Sequence, residues 1–314
     1  MNKREAVLSL LDRGDRQGLV PAAFFLHFDP SCHFGQAAVD RHLEYFRATG
    51  MDFVKVQYEG RFPPLAAIHR PADWTKMPLF GPGFFAPQLE VVKGIVEAVK
   101  REALVVVTLY SPFMCAGDAV GEERVLLHLR EDPAPVLKGM ELITESLMGF
   151  VEGCIALGVD GFYHSTQGGE RQRLAERDLF DTFVRPFDLA VMREAERSCA
   201  FNILHVCDYV GEYDDLSRFA DYPGHVVSCP LTVGGRPLGL AEAARLFGRP
   251  VMGGLDRLGV IATGSDEQIR SAVEDVLRGA PDRFILGADC TVPVETPWAN
   301  LRTAIEAAHA WRRE

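Results

Sequence analysis

No stretch of about 20 consecutive apolar residues occurs in the sequence, so a membrane-spanning helix is excluded. Basic clusters are also missing: Lys and Arg total 33 against 44 Asp and Glu, for a formal net charge of -11. Nucleic acids and anionic membranes attract concentrated positive charge, so neither is expected as a partner. The glycine pairs Gly168-Gly169 and Gly234-Gly235 form no GxGxxG or Walker pattern, which leaves Rossmann-type dinucleotide binding unsupported. The stretch Met1 to Leu11 has neither the apolar length nor the small-residue cleavage site of an export signal. The 7 cysteines, Cys32, Cys115, Cys154, Cys199, Cys207, Cys229 and Cys290, are odd in number and scattered. They fit reduced thiols in a cytoplasmic protein better than a disulfide framework.

What the sequence does contain is alternation. Short β-rich apolar runs alternate with longer segments of helical period, the pattern of a parallel sheet wrapped by helices. Strands are expected at Pro21 to His27, Asp52 to Tyr58, Ala103 to Leu109, Val159 to His164, Phe201 to Cys207, His225 to Ser228, Pro250 to Gly253 and Phe284 to Leu286. Helices are expected at Gly35 to Ala48, Pro87 to Lys100, Asp132 to Leu157, Ala175 to Ser198, Asp214 to Phe219, Leu240 to Phe247, Asp266 to Arg278 and Trp298 to Trp311. With 314 residues and no linker-like tract, this reads as one α/β domain over 1–314, a (β/α)8 TIM barrel. A short N-terminal helix over residues 3 to 13 precedes it. The stretch Glu59 to Phe85, rich in Pro, Gly and aromatics, reads as a long loop after the second strand. Its aromatics either line a substrate pocket or form a satellite cluster over the barrel top.

Chemistry concentrates at expected strand ends. His205 and Cys207 are two residues apart on the fifth expected strand, so both side chains leave the same face. Cys290 lies just past the eighth. One imidazole and two thiols delivered by separate strands suit Zn2+ and leave a coordination position open. The alternative is that each is an ordinary buried side chain. Cys229, beside Pro230, is a candidate fourth ligand, whereas Cys32, His33 and Cys115 fit no ligand spacing.

Other polar residues are site candidates by position alone. His27, His164, Gln167 and Asp256 are candidates for catalysis, and Lys55, Gln57, Tyr110 and Tyr163 for substrate binding. Hydrogen bonds that hold loops are the commoner role for any one such residue, and His164, whose imidazole could act as acid, base or donor, stands highest among them. Asp256 would either orient a ligand or cap the following helix.

The motifs Leu204-His205-Val206-Cys207, Val251-Met252-Gly253-Gly254-Leu255-Asp256, Ala262-Thr263-Gly264-Ser265, Gly287-Ala288-Asp289-Cys290-Thr291-Val292-Pro293 and Thr296-Pro297-Trp298-Ala299-Asn300-Leu301, taken in this order, resemble the uroporphyrinogen decarboxylase superfamily. Upstream, Gly158 to Gln167 and Phe183-Val184-Arg185-Pro186-Phe187 are also similar, so the resemblance spans roughly residues 100 to 310. Within that superfamily, the methylcobalamin:coenzyme M methyltransferases bind zinc through a His-x-Cys and a distant Cys. His205, Cys207 and Cys290 match that pattern residue by residue. The resemblance implies a zinc-activated thiol, a methylcorrinoid carried by a partner protein, and a small thiol or folate-like acceptor.

The true decarboxylases carry an Arg-rich segment near the N-terminus, whereas Pro21 to Pro30 here contains no arginine. That argues against a polycarboxylated tetrapyrrole as substrate. Asp208 stands where many relatives have Gly. Two other readings stay open: a decarboxylase or lyase acting on a smaller carboxylated substrate, and a non-catalytic corrinoid- or tetrapyrrole-binding barrel.

Overall fold

A computed structural model of the chain describes residues 2–12 and 19–312. Runs rich in Val, Leu and Phe form the strands β1 Phe53–Val56, β2 Leu104–Tyr110, β3 Gly161–Thr166, β4 Ile203–Val206, β5 Val226–Ser228, β6 Thr232–Val233, β7 Arg236–Pro237, β8 Val251–Leu255 and β9 Phe284–Ala288. The strands β6 and β7 make a small antiparallel pair, and the others form a 7-stranded parallel sheet in the order β1-β2-β3-β4-β5-β8-β9. All residues of β1, β3, β4, β5 and β9 are buried. Coverage on both faces is why their sequences run apolar without alternating.

Helices Gly35–Thr49, Pro82–Val99, Pro133–Leu157, Arg185–Ser198, Leu240–Phe247, Asp266–Gly279 and Trp298–Ala310 flank the sheet. Ser265 starts its helix through a capping box with Gln268, as the sequence implies. Gly158 ends another at φ 85, a left-handed conformation that glycine adopts without steric cost. No helix among the described residues is long and apolar enough to cross a membrane.

The sheet differs from the expected eight strands. Pro21 to His27 is extended and almost wholly buried, but among the described residues its only ladder contact is the isolated bridge between Ala22 and Leu286. It links the two edges of the sheet: Ala23 N–H donates to the Leu286 carbonyl at 3.0 Å, and Asp52 N–H donates to the Ala22 carbonyl at 3.0 Å. On the β1 side, however, the Ala22 N–H goes to the side-chain carboxylate of Asp52 at 2.7 Å. A side chain has taken the donor that a continuous ladder would use. The fold is a curled parallel sheet of 7 strands.

Smaller departures have local causes. The expected helix from Ala175 to Ser198 divides at Val184, just ahead of Pro186, into Arg177–Phe183 and Arg185–Ser198. Asp214 to Phe219 shrinks to a 3-10 turn, Ser217–Phe219. The N-terminal helix covers Lys3–Leu8 and continues as the 3-10 turn Ser9–Leu11, while Arg13 lies outside the described residues. Two unanticipated helices, Pro112–Val120 and Glu122–Glu131, follow β2; the first is capped by Ser111, whose hydroxyl accepts from Met114 N–H. The long loop contains the 3-10 turn Pro71–Lys76 and gives way to helix at Pro82. Its Phe62 and Trp74 are buried in the main hydrophobic core, with Trp74 Nε1 donating to His128 Nδ1 at 2.9 Å, while Phe84 and Phe85 line a surface cavity.

Candidate metal centre

The ladder between β3 and β4 pairs Ser165 with His205 and continues one step further, with Cys207 N–H donating to the Thr166 carbonyl at 3.0 Å. Strand alternation therefore carries from His205 to Cys207 and puts both side chains on one face. Cys290 arrives from the end of β9, where Asp289 N–H is held by the Leu255 carbonyl at 3.0 Å. The ligand atoms of His205, Cys207 and Cys290 lie within 4.8 Å of one another, and the two sulfurs are 3.9 Å apart.

The donor set fits zinc. His205 Nδ1 lies 3.2 Å from the Ser228 hydroxyl, whereas its Nε2 is buried with no hydrogen-bond partner among the described residues. An orphaned buried nitrogen costs about 1–3 kcal/mol, and coordination to a cation removes that cost. Ser228 stands where an outer partner would orient a ligating imidazole. The hydrogen bond between the two sulfurs raises the Cys207 thiol and lowers that of Cys290 well below the usual thiol range.

These three residues line a cavity of about 520 Å³, together with His27, Lys55, Gln57, Tyr110, Tyr163 and Gln167. Gln167 Nε2 donates to the Cys207 sulfur at 3.2 Å. Lys55 is 6% exposed, with Nζ 4.7 Å from the Phe25 ring centre and 4.9 Å from that of Tyr163. Burial pushes its ammonium down to about 8, against the opposing charges of Cys290, Glu59 and Cys207. Tyr163 also packs its ring 4.9 Å from the His205 ring. His27 Nδ1 lies 3.0 Å from Glu59 Oε1, and Gln57 Nε2 is 3.5 Å from the Tyr110 hydroxyl. Two buried oxygens on the cavity wall, Gln57 Oε1 and Thr108 Oγ1, have no partner among the described residues.

Two candidates lie elsewhere. His164 has the opposite parity to Tyr163 and Ser165, so its ring points away from the cavity into the layer between sheet and helix, near Met192 and Ala195. Both of its nitrogens are buried without a partner among the described residues, and burial pushes its pKa down to about 3. Asp256 is exposed, and its carboxylate accepts from Leu258 N–H at 2.8 Å; it shapes a turn and stands outside the group of His205, Cys207 and Cys290. Cys229 is buried outside the three-ligand group, as is Cys115, and Cys32 is half-buried elsewhere. His33 Nε2 lies 2.9 Å from the Phe28 carbonyl.

Sequence reasoning missed Arg257, Asp289 and Glu59. Arg257 lines the cavity and bonds both Asp208 and Asp289, the neighbours of the two cysteine ligands. The adjacency of an aspartate to each cysteine was the one available signal.

A parallel α/β scaffold that gathers an imidazole and two thiols at its strand ends has the form of an enzyme metal centre. The chain matches the family model described as Uroporphyrinogen decarboxylase (URO-D) over residues 32–311, and it belongs to that family. No curated protein matches it. Among solved structures it is similar to a methyltransferase from Methanosarcina mazei, with 15% identity, a TM-score of 0.78 and 98% of each chain covered. It is also similar to a B12-independent methionine synthase from Shewanella sp. W3-18-1, with 11% identity and a TM-score of 0.60, covering 93% of this chain and 96% of the other. At these identities the likeness is one of fold.

Proposed function

We propose that this chain is a cytoplasmic zinc-dependent methyltransferase built on the curled parallel α/β scaffold described above. It moves a methyl group between a donor, such as a corrinoid carried by a partner protein, and a small thiol or folate-like acceptor. The observation that carries the reading is the convergence of His205, Cys207 and Cys290 within 4.8 Å on the wall of a substrate-sized cavity. Zinc bound there supplies the Lewis acidity that turns a thiol into a nucleophile at neutral pH.

The chain's own residues do the rest. His205, Cys207 and Cys290 hold the metal, and Gln167 fixes one sulfur by donating to it. Lys55 offers a desolvated positive charge to an anionic end of the acceptor; the carboxylate of Glu59, which could have neutralised it, is bound to His27. His27 lines the same cavity, with Nδ1 3.0 Å from Glu59 Oε1 and Nε2 3.0 Å from Gln57 Nε2, and it is the residue to take up the proton that the thiol gives up, exchanging the Gln57 contact for it. Phe25 and Tyr163 keep water from the Lys55 ammonium.

Metal analysis of the purified protein tests the reading. Stoichiometric zinc, lost in Cys290→Ala together with methyl transfer, is the expected result; full activity in metal-free protein would end the proposal. Membership of the uroporphyrinogen decarboxylase family supports a second reading, decarboxylation of a smaller carboxylated substrate held by Lys55. Carbon dioxide release that survives a strong chelator would favour it.

A further inference from the structure

The two sulfurs come from strands that are not neighbours. In the sheet, β5 and β8 stand between β4 and β9, so three strand spacings separate the segments that carry Cys207 and Cys290. On a flat sheet that is roughly 14 Å at about 4.8 Å per strand, yet the sulfurs are 3.9 Å apart. Curl of the sheet and the two strand-end loops must close the difference, and something must hold them closed.

Arg257, in the loop after β8, is placed to do so. Its Nη1 donates to Asp289 Oδ2 at 2.6 Å and to Asp208 Oδ1 at 3.1 Å. Its backbone N–H donates to the other oxygen of Asp289 at 2.8 Å. Asp208 directly follows Cys207 and Asp289 directly precedes Cys290, so one guanidinium ties together the residues next to both sulfurs. The three side chains are well shielded, at 15%, 21% and 9% exposure, which sets this apart from a solvent-screened surface pair. Without the cation, two aspartates would face each other beside two sulfurs, and Coulomb repulsion would spread the loops.

We propose that Arg257 is a positioning residue that sets the spacing of the two sulfur ligands and thereby the metal affinity. The inference rests on the metal-binding reading above, but its test separates the two. Wild type, Arg257→Met, Arg257→Lys and Asp208→Asn are compared by zinc competition against a chromophoric chelator, by the sulfur-to-cobalt charge-transfer band after Co2+ loading, and by the melting temperature of metal-free protein.

Arg257→Met is expected to lose about 10- to 100-fold in zinc affinity, the usual effect of removing an outer partner of a metal site. Its charge-transfer band should weaken, with little change in metal-free melting temperature. Arg257→Lys, which keeps the charge, should recover part of the loss. Asp208→Asn retains the Arg257–Asp289 pair and should show a smaller loss; it carries the test if Arg257→Met fails to fold. Wild-type affinity and spectrum in both Arg257→Met and Asp208→Asn, with only KM raised, would mean that Arg257 contacts substrate and would overturn the clamp alone. Wild-type protein that takes up neither zinc nor cobalt would overturn the metal reading and the clamp with it.

Discussion

Gln167 is gripped at both ends of its amide: Nε2 donates to the Cys207 sulfur at 3.2 Å, and Oε1 accepts from Arg173 Nη1 at 3.0 Å. The orientation of the amide is therefore settled by its partners, with Arg173 itself buried and paired to Glu170 and Glu122. Glu170 also accepts from Gly168 N–H at 2.8 Å, and the Tyr213 hydroxyl sits between Glu170 and the Cys207 carbonyl. A continuous hydrogen-bonded chain thus runs from the loop after β3 to both the sulfur and the backbone of one ligand.

Gln167→Leu should weaken zinc binding while leaving the fold intact. A hydrogen bond to a charged acceptor contributes about 1.5–3 kcal/mol, which corresponds to roughly a 10- to 100-fold loss of affinity. Gln167→Glu should lose more, because a carboxylate would then face the sulfur. Chelator competition measures both, and equal affinities in wild type and Gln167→Glu would show that the contact does not act on the metal.

The His205 and Cys207 pair was legible because strand alternation alone puts both side chains on one face. Their meeting with Cys290 depends on sheet curl, and in the sequence it was the family resemblance that joined Cys290 to the pair. Parity elsewhere was not legible: in β3, buried on both faces, polarity does not tell which side points inward, and His164 went to the wrong layer while Tyr163 reached the cavity. The Arg257 clamp depends on sheet curl, which brings together Asp208 and Asp289 from distant strands, and no local pattern encodes that. Pro21 to His27 has the composition of a strand, but the long-range bond from Ala22 N–H to the Asp52 side chain decides its pairing.

His164 gives the fold an acid sensitivity of definite sign. In the unfolded chain an imidazole binds a proton below its ordinary value of 6.5, but in the fold burial delays protonation to about 3. The folded state then binds fewer protons across that window, so stability falls as pH drops from 6.5 toward 3. At pH 4.5 the loss from this residue is about 2–3 kcal/mol. His164→Leu should flatten the dependence of the urea midpoint on pH below 6.5 without lowering stability at pH 8. An unchanged acid slope would place the sensitivity elsewhere, with His42, pushed down to about 4 by burial, the next group to vary.

Gly161 opens β3 where it pairs with Val106 of β2 and passes close to the Phe201 backbone. A Cβ at this position would overlap the Phe201 carbonyl oxygen and crowd Asn202 Oδ1, which accepts from Phe162 N–H at 2.9 Å. Backbone cannot swing aside as a side chain can. Gly161→Ala should therefore cost about 3 kcal/mol or more, the upper range for overpacking. Thermal unfolding measures it, and a melting temperature within a degree of wild type would contradict the close approach.

Lys55 should act on the acceptor through its charge. If its ammonium holds an anionic end of the substrate, Lys55→Met raises KM about 10- to 100-fold, the worth of a charge-assisted hydrogen bond, with a smaller effect on kcat. Because burial brings its pKa to about 8, the charge is present below that pH and lost above it. Affinity for an anionic acceptor should then decline as pH rises through 8, while Lys55→Arg, which stays protonated, should hold its affinity to higher pH. A KM that is the same in Lys55→Met and wild type for charged and uncharged acceptors would remove Lys55 from substrate recognition. It would leave the Phe25 and Tyr163 contacts as its whole role.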